Sequence, residues 1–317
     1  MVKIDLITGF LGSGKTTFIK KYAKYLIDKG ENIGILENDY GAVNVDMMLL
    51  KELEGENCEL EMIAGGCDAD CHRRRFRTKL IAMGMYGYDR VIVEPSGIYD
   101  VDEFFDVLRD DPIDRWYEIG NVITVVDAKM EKEMSDEADY LLASEAANAG
   151  CIVLSRCQEA TEEEIEDTIC HLNHALEKVQ CKRRFKDEII AKDWTTFEKE
   201  DYEHILSSGY VAESYQKMHI EEGGAFKSLY FMNLEKTKEQ IVEAAKAVME
   251  DKECGKVFRI KGFLKDEDGK WMELNATHQE LCIEPITEGQ EVVIVIGEGL
   301  CEEKIRKYLK SAEKMVK

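Results

Sequence analysis

Proline is scarce in this sequence, with 3 residues in 317, and no apolar run reaches the roughly 20 residues that span a bilayer. Positive charge is also in short supply, because 42 Lys and Arg face 65 Asp and Glu and leave a net charge of −23. Nucleic acid and anionic membranes are therefore excluded as main partners, since both require an electropositive face. The 10 cysteines fall well below the density of a disulfide scaffold, and the opening residues indicate a strand rather than a secretory leader. We expect a cytoplasmic protein with reduced thiols.

Short apolar segments alternate with helical patterns over the first two thirds of the chain, which is typical of βα units around a parallel sheet. Lys15–Asp28 is a predicted helix, and a capping box formed by Thr161 and Glu164 begins another. The predicted strands are mostly rich in β-branched residues, as expected for strands covered on both faces. They are Lys3–Thr8, Ile33–Glu37, Glu59–Ile63, Arg90–Glu94, Val122–Val126, Ile152–Leu154 and Glu188–Ile190.

The pattern loosens over residues 196–225, which contain Ser207-Ser208-Gly209 and Gly223-Gly224. We expect an α/β nucleotide-binding domain over residues 1–195, with a doubly wound, mostly parallel sheet of the P-loop NTPase type. A connector over residues 196–225 and a smaller α+β domain over residues 226–317 complete the predicted architecture. The elements predicted for that last domain are strands at Phe226–Met232, Lys256–Lys261, Lys270–Asn275, Leu281–Ile286 and Glu291–Ile296, with helices at Thr237–Met249 and from about Cys301.

A phosphate-binding loop is the strongest motif in the chain. The run Gly9-Phe10-Leu11-Gly12-Ser13-Gly14-Lys15-Thr16-Thr17 fits the G-x-x-x-x-G-K-[ST] pattern, with a strand before it and a helix after it. Such a loop points backbone N–H groups at phosphate oxygens, and the helix N-terminus adds its positive dipole end. Lys15 is expected to neutralise the β- and γ-phosphates, and the Thr16 hydroxyl to ligate Mg²⁺. The predicted phosphate-binding residues are Gly12, Ser13, Gly14, Lys15, Thr16 and Thr17.

A second candidate motif is Glu94-Pro95-Ser96-Gly97. It follows the apolar run Val91-Ile92-Val93 at the end of a predicted strand. In P-loop enzymes a strand-end acid lies near Mg²⁺ or its water, so Glu94 is expected there and the Gly97 N–H near the γ-phosphate. The alternative is an ordinary acidic residue in a turn.

Two thiols, Cys67 and Cys71, are spaced so that a helix starting there would place both sulfurs on one face. Together with an acid such as Asp70 they have the chemistry to hold Zn²⁺ or another transition metal, although two free thiols remain the alternative. The basic run Arg73-Arg74-Arg75-Phe76-Arg77 follows; it contacts an acidic partner or the nucleotide, or is simply a solvated helix face.

These residues together resemble the CobW/HypB/UreG group of P-loop GTPases, most closely its CobW-like branch. Beyond the phosphate loop, the resemblance rests on Glu37-Asn38-Asp39-Tyr40-Gly41, Gly66-Cys67, Glu94-Pro95-Ser96-Gly97, Thr124-Val125-Val126-Asp127-Ala128, Phe258-Arg259-Ile260-Lys261-Gly262-Phe263 and Trp271. The last two are similar to the CobW C-terminal domain.

The resemblance implies slow GTP hydrolysis coupled to delivery of a metal or metallocofactor to a client protein. It places Lys15, Asp39 and Glu94 around the γ-phosphate and the attacking water, with Thr16 and Glu94 at Mg²⁺. It also makes Cys67 a metal ligand.

The sequence departs from the family pattern at two places. The family's Cys-x-Cys-Cys motif is here Cys67-Asp68-Ala69-Asp70-Cys71, a harder and more anionic donor set. The guanine-reading Asn-Lys-x-Asp is replaced by Ser155-Arg156-Cys157-Gln158, in which a Gln amide offers one acceptor oxygen and two donors. We favour GTP over ATP, with Ser155, Arg156 and Gln158 at the base.

Two other functions are compatible with the sequence. The first is an ATP- or GTP-dependent activator of a corrinoid or metallocofactor enzyme, without a transition-metal site of its own. The second is a nucleotide sensor that does not hydrolyse its ligand.

Overall fold

The computed structural model describes residues 1–39, 46–64, 69–97, 101–131, 134–217, 226–232, 234, 236–266, 268–278, 281–286, 289 and 291–309. Contacts within the chain divide it into two units, Met1–His219 and Ile220–Lys317.

The first unit contains a seven-stranded sheet in the described residues, and all its neighbouring strands run parallel. The spatial order is β3-β2-β4-β1-β5-β6-β7, which places β1 and β4 at the centre. The strands are β1 (Val2–Thr8), β2 (Ile33–Asp39), β3 (Cys58–Ala64), β4 (Arg90–Pro95), β5 (Tyr117–Asp127), β6 (Cys151–Ser155) and β7 (Ile189–Ile190). Every residue of β4 and β6 is buried, as the apolar runs predicted. The predicted fold class is confirmed.

Helices connect these strands and cover the sheet. The helix α1 occupies the predicted range and buries Phe18, Tyr22 and Leu26 in the core. The predicted capping box is present, since Thr161 and Glu164 exchange hydrogen bonds at the start of α7. The helices of this unit are α1 (Lys15–Asp28), α2 (Asp46–Leu50), α3 (Ala69–Met83), α4 (Val101–Leu108), α5 (Ile113–Trp116), α6 (Asp136–Ala147), α7 (Glu162–Lys178) and α8 (Lys199–Leu206).

The helix α8 lies within residues 196–225, where the sequence analysis placed a connector. Ile205 of α8 is fully buried in the core of the first unit, and the Tyr25 and Tyr202 rings stack with centroids 4.4 Å apart. The segment contains too few apolar residues to show a helical period, so the helix was not predicted. A single turn of apolar residues is nevertheless enough to hold it against the core. The division between the units therefore falls after α8, at residues 219 and 220.

The second unit has a five-stranded antiparallel sheet in its described residues, in the order β11-β10-β9-β12-β8. Two helices pack on a core that includes Val248, Ile260 and Ile305. The elements are β8 (Phe226–Met232), α9 (Lys238–Glu250), β9 (Lys256–Lys265), β10 (Trp271–Ala276), β11 (Leu281–Pro285), β12 (Val292–Glu298) and α10 (Glu302–Leu309). Each matches a predicted element to within a few residues.

Candidate functional site

The phosphate loop connects the carboxyl end of β1 to the first turn of α1. Gly9, Gly12 and Gly14 have φ angles of 146°, 81° and 96°, a region that residues with a Cβ rarely adopt. A Cβ on Gly9 would lie 2.3 Å from the Val125 carbonyl oxygen, so no side chain fits there. The Lys15 Nζ donates to the Gly9 carbonyl at 2.8 Å, which folds the lysine back over the loop. The loop therefore has the curl and the cation that phosphate binding requires.

A direct hydrogen bond connects this loop to β4. The Thr16 hydroxyl donates to Glu94 Oε1 at 2.8 Å, and both residues are at least nine-tenths buried. The two predicted Mg²⁺-binding groups are thus in contact, although 78 residues separate them in the sequence. A hydroxyl and a carboxylate are oxygen donors of the kind that Mg²⁺ prefers, so the pair suits this ion. The neighbouring Thr17 is exposed.

The strand-end turn after β4 also reaches the phosphate loop. A Cβ on Gly97 would lie 2.8 Å from the Leu11 backbone nitrogen, so only glycine permits this approach. The Ser96 N–H donates to the Asn38 carbonyl at 3.0 Å and thereby fixes the turn to the end of β2. Asp39 is the last residue of β2, next to this turn, and its side chain lies outside the described structure.

Three buried polar side chains around these strand ends have no hydrogen-bond partner among the described residues. They are the Ser13 hydroxyl, the Asn38 amide and the Ser96 hydroxyl. Leaving a buried polar atom without a partner costs roughly 1–3 kcal/mol, so such groups usually serve a ligand or water. Phosphate oxygens and the water shell of Mg²⁺ would supply the missing partners.

A buried carboxyl lies behind the phosphate loop. Glu145 of α6 is 1% exposed, and its backbone carbonyl accepts hydrogen bonds from the hydroxyls of Thr8 and Thr124 at 3.3 and 2.8 Å. Burial raises the pKa of the Glu145 carboxyl to about 8, and the nearby Lys15 charge opposes this shift. Its Oε2 has no partner among the described residues. Glu145 is therefore mostly protonated at neutral pH, a feature that sequence patterns gave no reason to expect.

An aromatic side chain lies beside the loop at its other end. A Cβ on Gly14 would be 3.4 Å from the Trp194 ring and 3.6 Å from Ser155 Cβ. The Trp194 and Phe18 rings pack edge-on, with their centroids 5.4 Å apart. The buried indole N–H of Trp194 has no acceptor among the described residues. Sequence reasoning missed Trp194, because it follows the two-residue strand β7 in no recognisable motif.

The residues predicted to read the base lie at and just after the end of β6, but two of them have other contacts. Ser155 is buried at the strand end near Gly14. Arg156 has a φ of 55°, and its Nε donates to Asp127 Oδ1 at 3.0 Å. Gln158 is exposed and donates to Glu159 Oε1 at 3.1 Å. The expected contact of Arg156 with the base therefore competes with its ion pair to Asp127.

The predicted metal site is described only in part. Cys67 lies outside the described residues, and so does the Asp70 side chain, although the Asp70 backbone belongs to α3. Cys71 is half-buried in the first turn of that helix. His72 points into the core, where burial and the Arg75 charge lower the pKa of its ring to about 4. No group of three or more His, Cys, Asp or Glu is arranged to hold a metal in the part of the chain that the structure describes.

Two protein-family models match the chain, one in each of its two units. Residues 3–185 match the model of the CobW/HypB/UreG nucleotide-binding domain. The chain belongs to the CobW/HypB/UreG family. Residues 233–313 match the cobalamin synthesis protein CobW C-terminal domain, so the resemblance drawn from the motifs is confirmed on both units.

Curated relatives match about half of this CobW-family chain. It is 27% identical over 164 residues to the zinc chaperone YeiR of Escherichia coli, covering 51% of this chain and 49% of YeiR. It is 25% identical over 183 residues to the zinc chaperone YjiA of the same organism, covering 54% and 55% of the two chains. The chain thus spans about half the length of the curated relatives it matches. The crystal structure of Zn(II)-bound YjiA is 17% identical, covers 98% of this chain and 99% of YjiA, and superposes with a TM-score of 0.38.

None of the helices in the described residues has the length and apolar character to cross a bilayer.

Proposed function

We propose that this CobW-family protein is a nucleotide-hydrolysing metallochaperone that couples GTP hydrolysis to delivery of a metal or metallocofactor to a client protein. The observation that supports nucleotide binding and hydrolysis is the Thr16–Glu94 hydrogen bond beside the phosphate loop. The metal half is supported by the family and by the zinc chaperones among its relatives.

In this proposal the chemistry is phosphoryl transfer to water. Thr16 and Glu94 would hold Mg²⁺, which would supply charge stabilisation, and Lys15 would exchange the Gly9 carbonyl for phosphate oxygens. Asp39 and Glu94 orient the attacking water. Positioning and charge account for most of such catalysis, and no sequence motif assigns an arginine of this chain to the transition state. We therefore expect slow turnover by the isolated protein, below about 1 s⁻¹.

Nucleotide binding is testable through Trp194, because its ring lies 3.4 Å from the Gly14 Cβ position. Binding of Mg²⁺-GTP is expected to change the intrinsic fluorescence of the wild type and to leave a Trp194→Phe variant almost silent. Lys15→Ala is expected to abolish the signal without unfolding the protein. Full binding with turnover at the uncatalysed background would instead favour the sensor function.

Metal binding is testable by zinc stoichiometry in the purified protein. The wild type is expected to bind zinc, and a Cys67→Ala/Cys71→Ala variant to lose it. Cys170→Ala is the matched control, since Cys170 is an exposed cysteine on α7. Zinc affinity measured with GDP and with a non-hydrolysable GTP analogue is expected to differ by about tenfold, the size of a typical coupling between two sites.

The second candidate function is a nucleotide-dependent enzyme activator without its own transition metal. It is favoured by one observation, the replacement of two positions of the family's thiol motif by Ala69 and Asp70. Equal zinc content in the wild type and the double cysteine variant would support this candidate and remove the metal from the proposal.

A further inference from the structure

A pocket of about 520 Å³ lies between β3 and α3. Its apolar side is formed by Met62 and Ile63 of β3, and Met62 is 37% exposed. Its polar side is formed by residues of α3 that include Cys71, Arg74 and Arg75. We call this feature the arginine pocket.

The described lining of the arginine pocket contains three cationic side chains and no acidic one, although the whole chain has a net charge of −23. Lys79 at its rim is neutralised by Glu61, with Nζ and Oε2 at 2.7 Å. Arg74 and Arg75 are both exposed, and Arg74 has no acidic partner among the described residues. A guanidinium binds a carboxylate through two parallel hydrogen bonds, so these arginines are suited to acidic groups.

One edge of the arginine pocket is an open sheet edge. The order of the seven-stranded sheet places β3 at its end, and within the described ranges β3 has a neighbouring strand only in β2. A strand edge of this kind presents backbone N–H and C=O groups that an extended peptide can pair with. The adjacent Met62 side chain, which is 37% exposed, offers apolar contact to such a peptide.

We propose that the arginine pocket binds an extended, carboxylate-rich segment of a partner protein, placed next to the Cys71 thiol. The inference deepens the proposed function and rests on it for one point, that the partner is the client that receives the metal. Charge complementarity favours this occupant, because the cationic side chains that line the pocket attract carboxylates.

The test uses a fluorescein-labelled peptide of alternating glutamate and valine, with a glutamine–valine peptide of equal length as the neutral control. Fluorescence anisotropy is expected to show binding of the acidic peptide to the full-length wild type and none of the neutral peptide. An Arg74→Glu/Arg75→Glu variant is expected to weaken binding at least about tenfold, because it replaces attraction by repulsion at both positions. Arg109→Glu is the matched control, since Arg109 is an exposed arginine of the same unit that lies outside the pocket, with a side chain 78% exposed.

Three outcomes would overturn the inference. They are the absence of binding to the wild type, unchanged affinity in the double arginine variant, and an equal loss in Arg109→Glu, which would indicate a general charge effect. Free glutamate that competes as well as the peptide, at equal carboxylate concentration, would indicate a small-anion site instead and would also overturn it.

Proximity to Cys71 is tested with the same acidic peptide carrying a cysteine activated as a thiopyridyl disulfide. The Cys71 thiolate attacks the peptide sulfur, a new disulfide forms, and pyridine-2-thione leaves with the electron pair of the broken bond. Mass mapping is expected to show labelling of Cys71 that is faster than with the neutral peptide and is lost in the double arginine variant. Equal labelling rates with both peptides would contradict the placement. All these measurements are made without nucleotide or zinc, so they are independent of whether the proposed function fails.

Discussion

The Thr16 hydroxyl donates to Glu94 Oε1 at 2.8 Å and so joins the first turn of α1 to the end of β4. The contact arises because β1 and β4 are parallel neighbours, with Lys3 opposite Arg90 and Leu6 opposite Val93. Parallel strands end at the same edge of a sheet, so the loop after one strand meets the last residue of the other. This register is what brings the predicted magnesium groups within hydrogen-bonding distance.

Removing the Thr16 hydroxyl is expected to weaken magnesium-dependent binding. A Thr16→Val variant keeps the shape of the side chain and loses the oxygen, so affinity for Mg²⁺-GTP should fall about 10- to 100-fold while affinity for GDP without Mg²⁺ changes little. Nucleotide titration followed by Trp194 fluorescence measures both. Thr78→Val on α3 is the control and is expected to bind as the wild type does. Equal losses with and without magnesium would contradict a role for Thr16 at the ion.

Base preference is expected to depend on residue 158. An aspartate carboxylate accepts two hydrogen bonds from guanine, whereas the Gln158 amide donates to Glu159 and offers a single acceptor oxygen. Gln158→Asp should therefore raise the preference for GTP over ATP by about tenfold or more. The ratio of the two dissociation constants is the measurement. Gln216→Glu is the control, because Gln216 is exposed and its N–H donates to the Val179 carbonyl just after the far end of α7. A ratio unchanged by Gln158→Asp would place the base elsewhere.

The Glu145 carboxyl is expected to make the protein less stable as the pH rises. Its pKa is about 8 in the folded state against an ordinary value of 4.5, so between these pH values the folded state holds more protons than the unfolded state. The free energy of unfolding then falls with rising pH, by at most about 1.4 kcal/mol per unit from this one group. The loss is complete above the folded-state value. Glu145→Gln carries no proton and removes this part of the slope.

Urea unfolding of the wild type and of Glu145→Gln at about pH 6 and pH 9 measures the effect. The variant is expected to gain stability relative to the wild type at the higher pH. Glu166→Gln, an exposed position on α7, should run parallel to the wild type. Parallel curves for Glu145→Gln as well would show that Glu145 ionises as a solvated carboxyl does.

A buried ion pair at the other end of the sheet is expected to be important for stability. Arg90 Nη1 donates to both Asp5 oxygens at 2.8 and 2.7 Å, Tyr22 donates to the same carboxylate at 2.7 Å, and burial together with Asp5 raises the Tyr22 pKa. Asp5→Asn would remove one of the two carboxylates beside the buried Arg90 and leave only Glu31, whose Oε2 lies 3.1 Å from Arg90 Nε, at a cost of about 3 kcal/mol.

Chemical denaturation tests this prediction. Glu52→Gln breaks the exposed pair between Glu52 and Lys20, which are 63% and 40% exposed, and is expected to cost less than about 1 kcal/mol. Similar costs for the buried and the exposed variant would show that the Asp5–Arg90 pair contributes no more than a surface contact.

Local rules were enough to locate the phosphate loop and most of the elements. The helix α1 begins at Lys15 and ends at Asp28 as predicted, because the glycines before it and Gly30 after it interrupt helical backbone. The strand β5 was predicted too short, from Val122, whereas it begins at Tyr117. The first half of β5 was not predicted because Asn121 is polar. Asn121 is tolerated in this buried strand because its backbone N–H donates to the buried Asp5 carboxylate at 2.8 Å.

The sequence by itself determined the family, the phosphate loop and the alternation of strands and helices, since each depends on residues that are neighbours in the chain. Only the tertiary structure decided that Thr16 contacts Glu94, that Arg156 pairs with Asp127, and that Trp194 lies against Gly14. Those contacts join segments that are far apart in the sequence. The distances between them are set by strand order and register, which no local pattern encodes. For the same reason the sequence did not show that Glu145 is a buried acid, because its burial depends on the packing of α6 behind the phosphate loop.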